Sequence, residues 1–230
     1  MSRKRTALIA TSAAFAASAA FAASAILAPA AFAAPSVASK MLSKKDVPSV
    51  FGKAKNYDFN ATSPDKAIWL CSNAGGTTLY SQPAPKNQPV VDIETKNGKT
   101  YTSVTEHVYQ YSSAKDALAA YNSLYAGSKK CDGSTTAQNG TDTTSKITET
   151  WTTGSQPGAI YQNFYVMNQA NFQSSTPQEN AKTSSYTLYS QTGNVVIATT
   201  AYVNPQEKFT PAEIDAVSQL GINLTAKWAK

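Results

Sequence analysis

Four strand-like segments follow one another between residues 146 and 203 with no helical pattern between them, and that succession limits the fold more than any other feature. They span 146–152, 159–168, 184–191 and 194–203, and the last two flank Thr192-Gly193, a two-residue hairpin turn. Neighbouring strands joined so closely pair antiparallel. Another strand is predicted at 101–111, after the Asn97-Gly98 turn, with Val104 and Val108 on one face and Tyr101, His107, Tyr109 and Tyr111 on the other. Two helices complete the pattern. Ser113 caps the first, in which Ala114, Ala117, Leu118, Tyr121, Leu124 and Tyr125 recur at helical spacing before Gly127. Thr210-Pro211-Ala212-Glu213 starts the second with a capping-box spacing, and Ile214, Val217, Leu220, Leu224 and Trp228 form its apolar stripe. The fold expected is a single α+β domain: a central antiparallel sheet with both helices on one face and an open cleft or face on the other. Trp69-Leu70-Cys71 reads as a short strand, 41–52 as a helical or turn segment ending at Gly52, and 72–100 and 132–145 as loops.

The N-terminus has the marks of an export signal. Arg3, Lys4 and Arg5 precede an uncharged apolar stretch from Ala7 to Leu27, then Pro29 and the small-residue site Ala31-Phe32-Ala33. Cleavage is predicted between Ala33 and Ala34, giving a signal peptide over 1–33, a flexible leader over 34–40 and a domain over 41–230. No Cys stands at the cut to carry a lipid, so no stable membrane anchor is expected after cleavage and the product is secreted, released or wall-associated.

Composition narrows the partners. Both arginines, Arg3 and Arg5, belong to the signal; removing them and Lys4 from the 20 cations leaves 17 lysines against 14 acidic residues. A mature chain without Arg has no planar fork for phosphate, which argues against nucleic acid. His107 is the one histidine, so a multi-His metal site is not expected, and neither metal nor cofactor is predicted. Cys71 and Cys131 are the two cysteines, and in an exported protein they make most simply one disulfide, free thiols being the alternative.

Cys71 behind an early Trp, the strand with Val104 and Val108, the Ala-rich helix ending in Cys131-Asp132-Gly133, and Gly193-Asn194-Val195-Val196-Ile197-Ala198 before a terminal amphipathic helix form a recognisable order. It resembles the PknH-like extracellular (sensor) domain family of actinobacteria over roughly residues 40–229. The resemblance implies an α+β fold with an open cleft and binding of an external ligand without catalysis. The family's kinase sensor domain has two disulfides, whereas this chain can make only one, and no kinase or transmembrane part accompanies it.

The candidate ligand-binding residues are aromatic and polar: His107, Tyr109 and Tyr111 on one strand, and Tyr161, Asn163 and Tyr165 on another. If both strands turn them away from the helices, they make an aromatic surface with hydroxyl handles, suited to a small molecule, a cell-wall glycan or a peptide. Ordinary solvent-facing tyrosine on a sheet is the plainer reading. A serine enzyme is the alternative function: Ser-x-x-Lys occurs at Ser63/Lys66 and Ser112/Lys115, followed by Tyr161-x-Asn163 and Lys182-Thr183-Ser184. That last motif lacks the glycine, and Ser and Lys are abundant enough for chance pairs. A structural protein–protein interaction module is the third reading. Closing a loop between Cys71 and Cys131 stabilises a chain by about 4 kcal/mol in the chain-entropy model. Cys71→Ser should therefore lower the melting temperature as much as reduction of the wild type does, and equal stability of oxidised and reduced protein would contradict the pairing.

Overall fold

The computed structural model describes residues 37–61, 84–139, 142–156, 161–174, 176 and 180–229. Its frame is one eight-stranded antiparallel sheet. The strands are β1 (Lys53–Asn60), β2 (Val90–Asn97), β3 (Thr100–Gln110), β4 (Gly133–Asn139), β5 (Asp142–Ser155), β6 (Gln162–Gln173), β7 (Ala181–Thr192) and β8 (Val195–Asn204). They lie in the order β1-β2-β3-β8-β7-β6-β5-β4, so β3 and the late hairpin β7–β8 form the middle. Among the described residues the α-helices are α1 (Ala114–Ser128) and α2 (Pro211–Ala226).

The helices do not share a face, and this corrects the expected α+β arrangement. Antiparallel register puts Val104, Ala201, Tyr186 and Met167 on one side of the sheet, where α2 brings Val217, Leu220 and Leu224. The alternate positions Tyr109, Val196, Ala198, Tyr189, Phe164, Val166 and Trp151 point to the other side and pack on Ala117, Ala120, Tyr121 and Leu124 of α1. Both helices rest on β7 and β8. Among the described residues the sheet is thus clamped between one helix on each side, not left open opposite a helical layer.

Local chemistry explains the ends of these elements. Ser113 Oγ accepts the Asp116 amide at 3.1 Å to start α1, and Thr210 and Glu213 complete a reciprocal capping box with Pro211 in the first turn of α2. Gly221 lets α2 come down onto the sheet: a Cβ there would lie 2.7 Å from Leu188 Cδ2 and 3.3 Å from Thr199 Oγ1. Tyr186 Oη and Ser218 Oγ, 2.9 Å apart, satisfy each other within the apolar contact.

β2 and β4 replace predicted loops, and β1 forms where no element was predicted. β2 and β1 extend one edge, and β4, within the stretch expected to be loop, forms the other. The predicted strand at Trp69-Leu70-Cys71 and the signal segment lie outside the described residues.

Candidate functional site

The six predicted ligand-binding residues do not form one surface. His107 and Tyr109 point to the α1 side, whereas Asn163 and Tyr165 point to the α2 side. Tyr109 and Tyr111, only 6% and 3% exposed, belong to the core under α1. His107 is half-buried and stacks on Tyr109 with ring centroids 6.0 Å apart. Tyr161 is half-buried just before β6, and Tyr165 stacks on Tyr186 at 5.5 Å. Asn163 is buried, and neither its Nδ2 nor its Oδ1 has a hydrogen-bond partner.

Helix α2 packs on β7 and β8, and Met41, Leu42 and Phe51 complete the same core beside it, while the outer strands β6, β5 and β4 keep a polar surface on this side. Strand register aligns that surface into rows. One row runs Thr136, Thr148, Asn171, Lys182, and the next runs Ser134, Thr150, Gln169, Ser184. Thr136 and Thr148 hydroxyls lie 3.0 Å apart, and the Thr150 hydroxyl donates to Ser134 Oγ at 3.2 Å. Thr152 continues the set one position along β5. Threonine suits these positions twice over, since its β-branch favours strand geometry and its hydroxyl faces water.

The rows end at an open cleft of about 570 Å³ between β6, β7 and the β8–α2 connection, lined by Asn171, Gln173, Asn180, Lys182, Gln206 and Glu207 among others. Lys182 Nζ and Glu207 Oε2 form an ion pair at 2.7 Å across it. Gln206 is fixed by its backbone amide on the Lys182 carbonyl at 2.9 Å and by Nε2, which donates to Glu213 Oε2 at 2.7 Å. The cleft is therefore tied to the cap of α2. Side-chain amides dominate the lining, with one cation neutralised by its neighbour. Such a surface can donate to and accept from an uncharged polyhydroxyl ligand.

The residues of the serine-enzyme alternative are dispersed. Ser112 and Lys115 are exposed at the start of α1, while Ser63 and Lys66 lie outside the described residues. Asn163 pairs with Ser190 and Lys182 with Asn171, so eight residues of strand, roughly 27 Å, separate Asn163 from the row of Lys182. Among the described residues no three His, Cys, Asp or Glu side chains are grouped to hold a metal. Cys131 sits at the end of α1 and is not a free thiol; Cys71 lies outside the described residues.

No protein-family model and no curated protein matches the chain. Among solved structures, the extracellular domain of PknH from Mycobacterium tuberculosis superposes with a TM-score of 0.55 at 13% identity, over 83% of this chain and 93% of that one. The fold is similar to that of the PknH extracellular domain. LpqN of Mycobacterium tuberculosis, involved in cell envelope biogenesis, aligns at 14% identity with a TM-score of 0.21, over 74% of this chain and 83% of its own.

Glu106 and His107, adjacent on β3, titrate in opposite senses. Burial lowers His107 from an ordinary 6.5 to about 4, keeping the ring neutral. Unfolding restores the ordinary value, so the unfolded chain binds more protons between about pH 4 and 6.5, and the stability due to His107 is lost as pH falls through that window. Burial raises Glu106, on the other side of β3, from 4.5 to about 7. Its contribution is full below pH 4.5 and lost as pH rises to about 7. Each effect is roughly 3 kcal/mol at its limit, so over the shared window they largely offset. Denaturant titrations from pH 4.5 to 7 should find the wild type nearly flat and His107→Gln more stable toward acid. The same pH profile in both proteins would contradict the assignment.

Proposed function

We propose that the chain is a secreted, non-enzymatic binding domain of the cell envelope, stapled by Cys71 and Cys131, whose ligand is a neutral cell-wall glycan held on the outer β4–β6 surface. The observation that carries this reading is the double row of hydroxyl and amide side chains leading into the cleft at Lys182 and Glu207. A sugar offers hydroxyls at regular spacing and both hydrogen-bonding senses, which threonine, asparagine and glutamine match without a net charge. Tyr165 lies on the same side along β6 and supplies a ring for stacking against a sugar face. The predicted export signal and the fold shared with an extracellular domain support the location. Catalysis is disfavoured because the serine, lysine and asparagine of the enzyme reading are not brought together among the described residues.

The test is thermal unfolding with soluble fragments of a neutral wall polysaccharide. At a hundredfold excess over the dissociation constant, a ligand bound only by the folded state adds about 2.7 kcal/mol. For a chain of this size that raises the midpoint by roughly 5–10 °C. Thr150→Arg should abolish the rise while leaving the unliganded midpoint in place, since Thr150 is exposed. An equal rise in Thr150→Arg would place the ligand elsewhere. Covalent labelling of Ser112 or Ser63 by a β-lactam would instead favour the enzyme.

A further inference from the structure

The sheet has two outer strands, and they differ in how their free edges are closed. β1 carries Lys53, Lys55 and Asp58 at exposed positions, and its register with β2 slips between Ala54 and Tyr57. Within that slip the Lys55 carbonyl accepts the Lys44 ammonium at 2.5 Å. Charge, a bulge and a covering side chain are the devices that keep an edge strand from pairing with another chain. β4 lacks them along most of its length. Gly133-Ser134-Thr135-Thr136-Ala137-Gln138-Asn139 holds no charged residue and no proline, and its register shift falls at the very end, between Gln138 and Asn139. Among the described residues no backbone group pairs with its outer side.

The charge pattern of this edge selects its occupant. A strand that closes on a second copy of itself does so antiparallel, about a two-fold axis normal to the sheet. With the axis at Thr136, the middle of β4, Thr136 faces its own counterpart, Ser134 faces Gln138 and Thr135 faces Ala137. No like charges meet along the seam. Its two ends are complementary, because β4 follows Lys129 and Lys130 and runs on to Asp142. Antiparallel pairing therefore sets the basic start of one strand beside the acidic end of the other, which favours this partner and this orientation.

We infer that β4 is the interface between two copies of this chain, which join edge to edge into one continuous sheet. An axis normal to the sheet leaves each face on its own side, so the polar β4–β6 surfaces of the two copies become one. The row Thr136, Thr148, Asn171, Lys182 then continues through the same residues of the second copy in reverse order. The clefts at Lys182 stand at its two ends, seven strand spacings or roughly 34 Å apart. Each copy supplies half of this surface, which doubles the length of contact offered to a repeating ligand. The seam is short and polar, so the dimer is weak and concentration-dependent. The joined ligand surface rests on the glycan reading; the pairing of the edges does not.

Sedimentation equilibrium of the protein as secreted, from about 10 µM to about 1 mM at low salt, covers the range of an interface below the standard size. The wild type should pass from monomer to dimer and stop there, since a two-fold interface closes on itself. Ser134 and Thr136 are exposed, so charge placed on them spares the fold. Ser134→Lys with Thr136→Lys should weaken the dimer at least about tenfold, because like charges then meet opposite and diagonally across the axis. Ser134→Glu with Thr136→Glu should do the same, and mixing the two variants one to one should restore a heterodimer. A wild type that stays monomeric throughout, a lysine variant that dimerises like the wild type, or a mixture that stays monomeric overturns the inference. If a double variant loses stability, Thr136→Lys and Thr136→Glu carry the same comparison at the axis. A dimer indifferent to a neutral oligosaccharide keeps this interface and counts against the glycan reading alone, so the two fail separately.

Discussion

Burial of the β7–β8 hairpin on both faces is the constraint from which the rest of the architecture follows. Seven consecutive residues of β7, Ser184 to Ser190, and seven of β8, Val195 to Ala201, are all buried. A sheet residue can be shielded on alternate sides only if something packs on each, and here α2 supplies one cover and α1 the other. The hairpin sits at the centre of the sheet, so both helices are drawn to the middle. Each leaves part of its own side uncovered. The polar rows of β4–β6 occupy such a remainder, which is why the candidate site lies at the periphery.

Much of the frame was legible in the chain. The Ser113 cap, the Thr210–Glu213 capping box and the apolar stripe ending at Trp228 located both helices, because capping and 3.6-residue periodicity are local signals. The side on which each helix packs was not legible. Val195 to Ala198 is a continuous apolar run, and such a run calls for cover on both faces; reading the sheet as half-open discarded that requirement. Three strands were also missed, for different reasons. In β2 the buried Val91, Ile93 and Thr95 alternate cleanly, but Pro83, Pro85 and Pro89 made the region look like loop. Edge strands β1 and β4 bury little: Lys53, Lys55 and Asp58 face solvent, and Gly133-Ser134-Thr135-Thr136 has no apolar face to betray it.

The candidate site was partly readable for the same reason. Tyrosines attracted attention as binding residues because they combine a ring with a hydroxyl, yet Tyr109 and Tyr111 use those rings to fill the core under α1. Threonine and glutamine at alternating positions of β4, β5 and β6 carry no motif. Only pairing in register turns them into rows, and register is set by long-range contacts that sequence spacing does not contain. Asn163 and Tyr165 share the α2 side of β6, whereas His107 and Tyr109 lie on the α1 side of β3.

The central claim is that an uncharged glycan lies along the β4–β6 rows. Backbone amide shifts mapped by NMR during titration with a soluble neutral wall oligosaccharide test it most directly. The account predicts that Ser134, Thr136, Thr148, Thr150, Gln169, Asn171 and Lys182 respond together, with saturation at one common affinity. Shifts confined to the α1 side around His107 and Tyr109, or no saturable response on β4–β6, would contradict it.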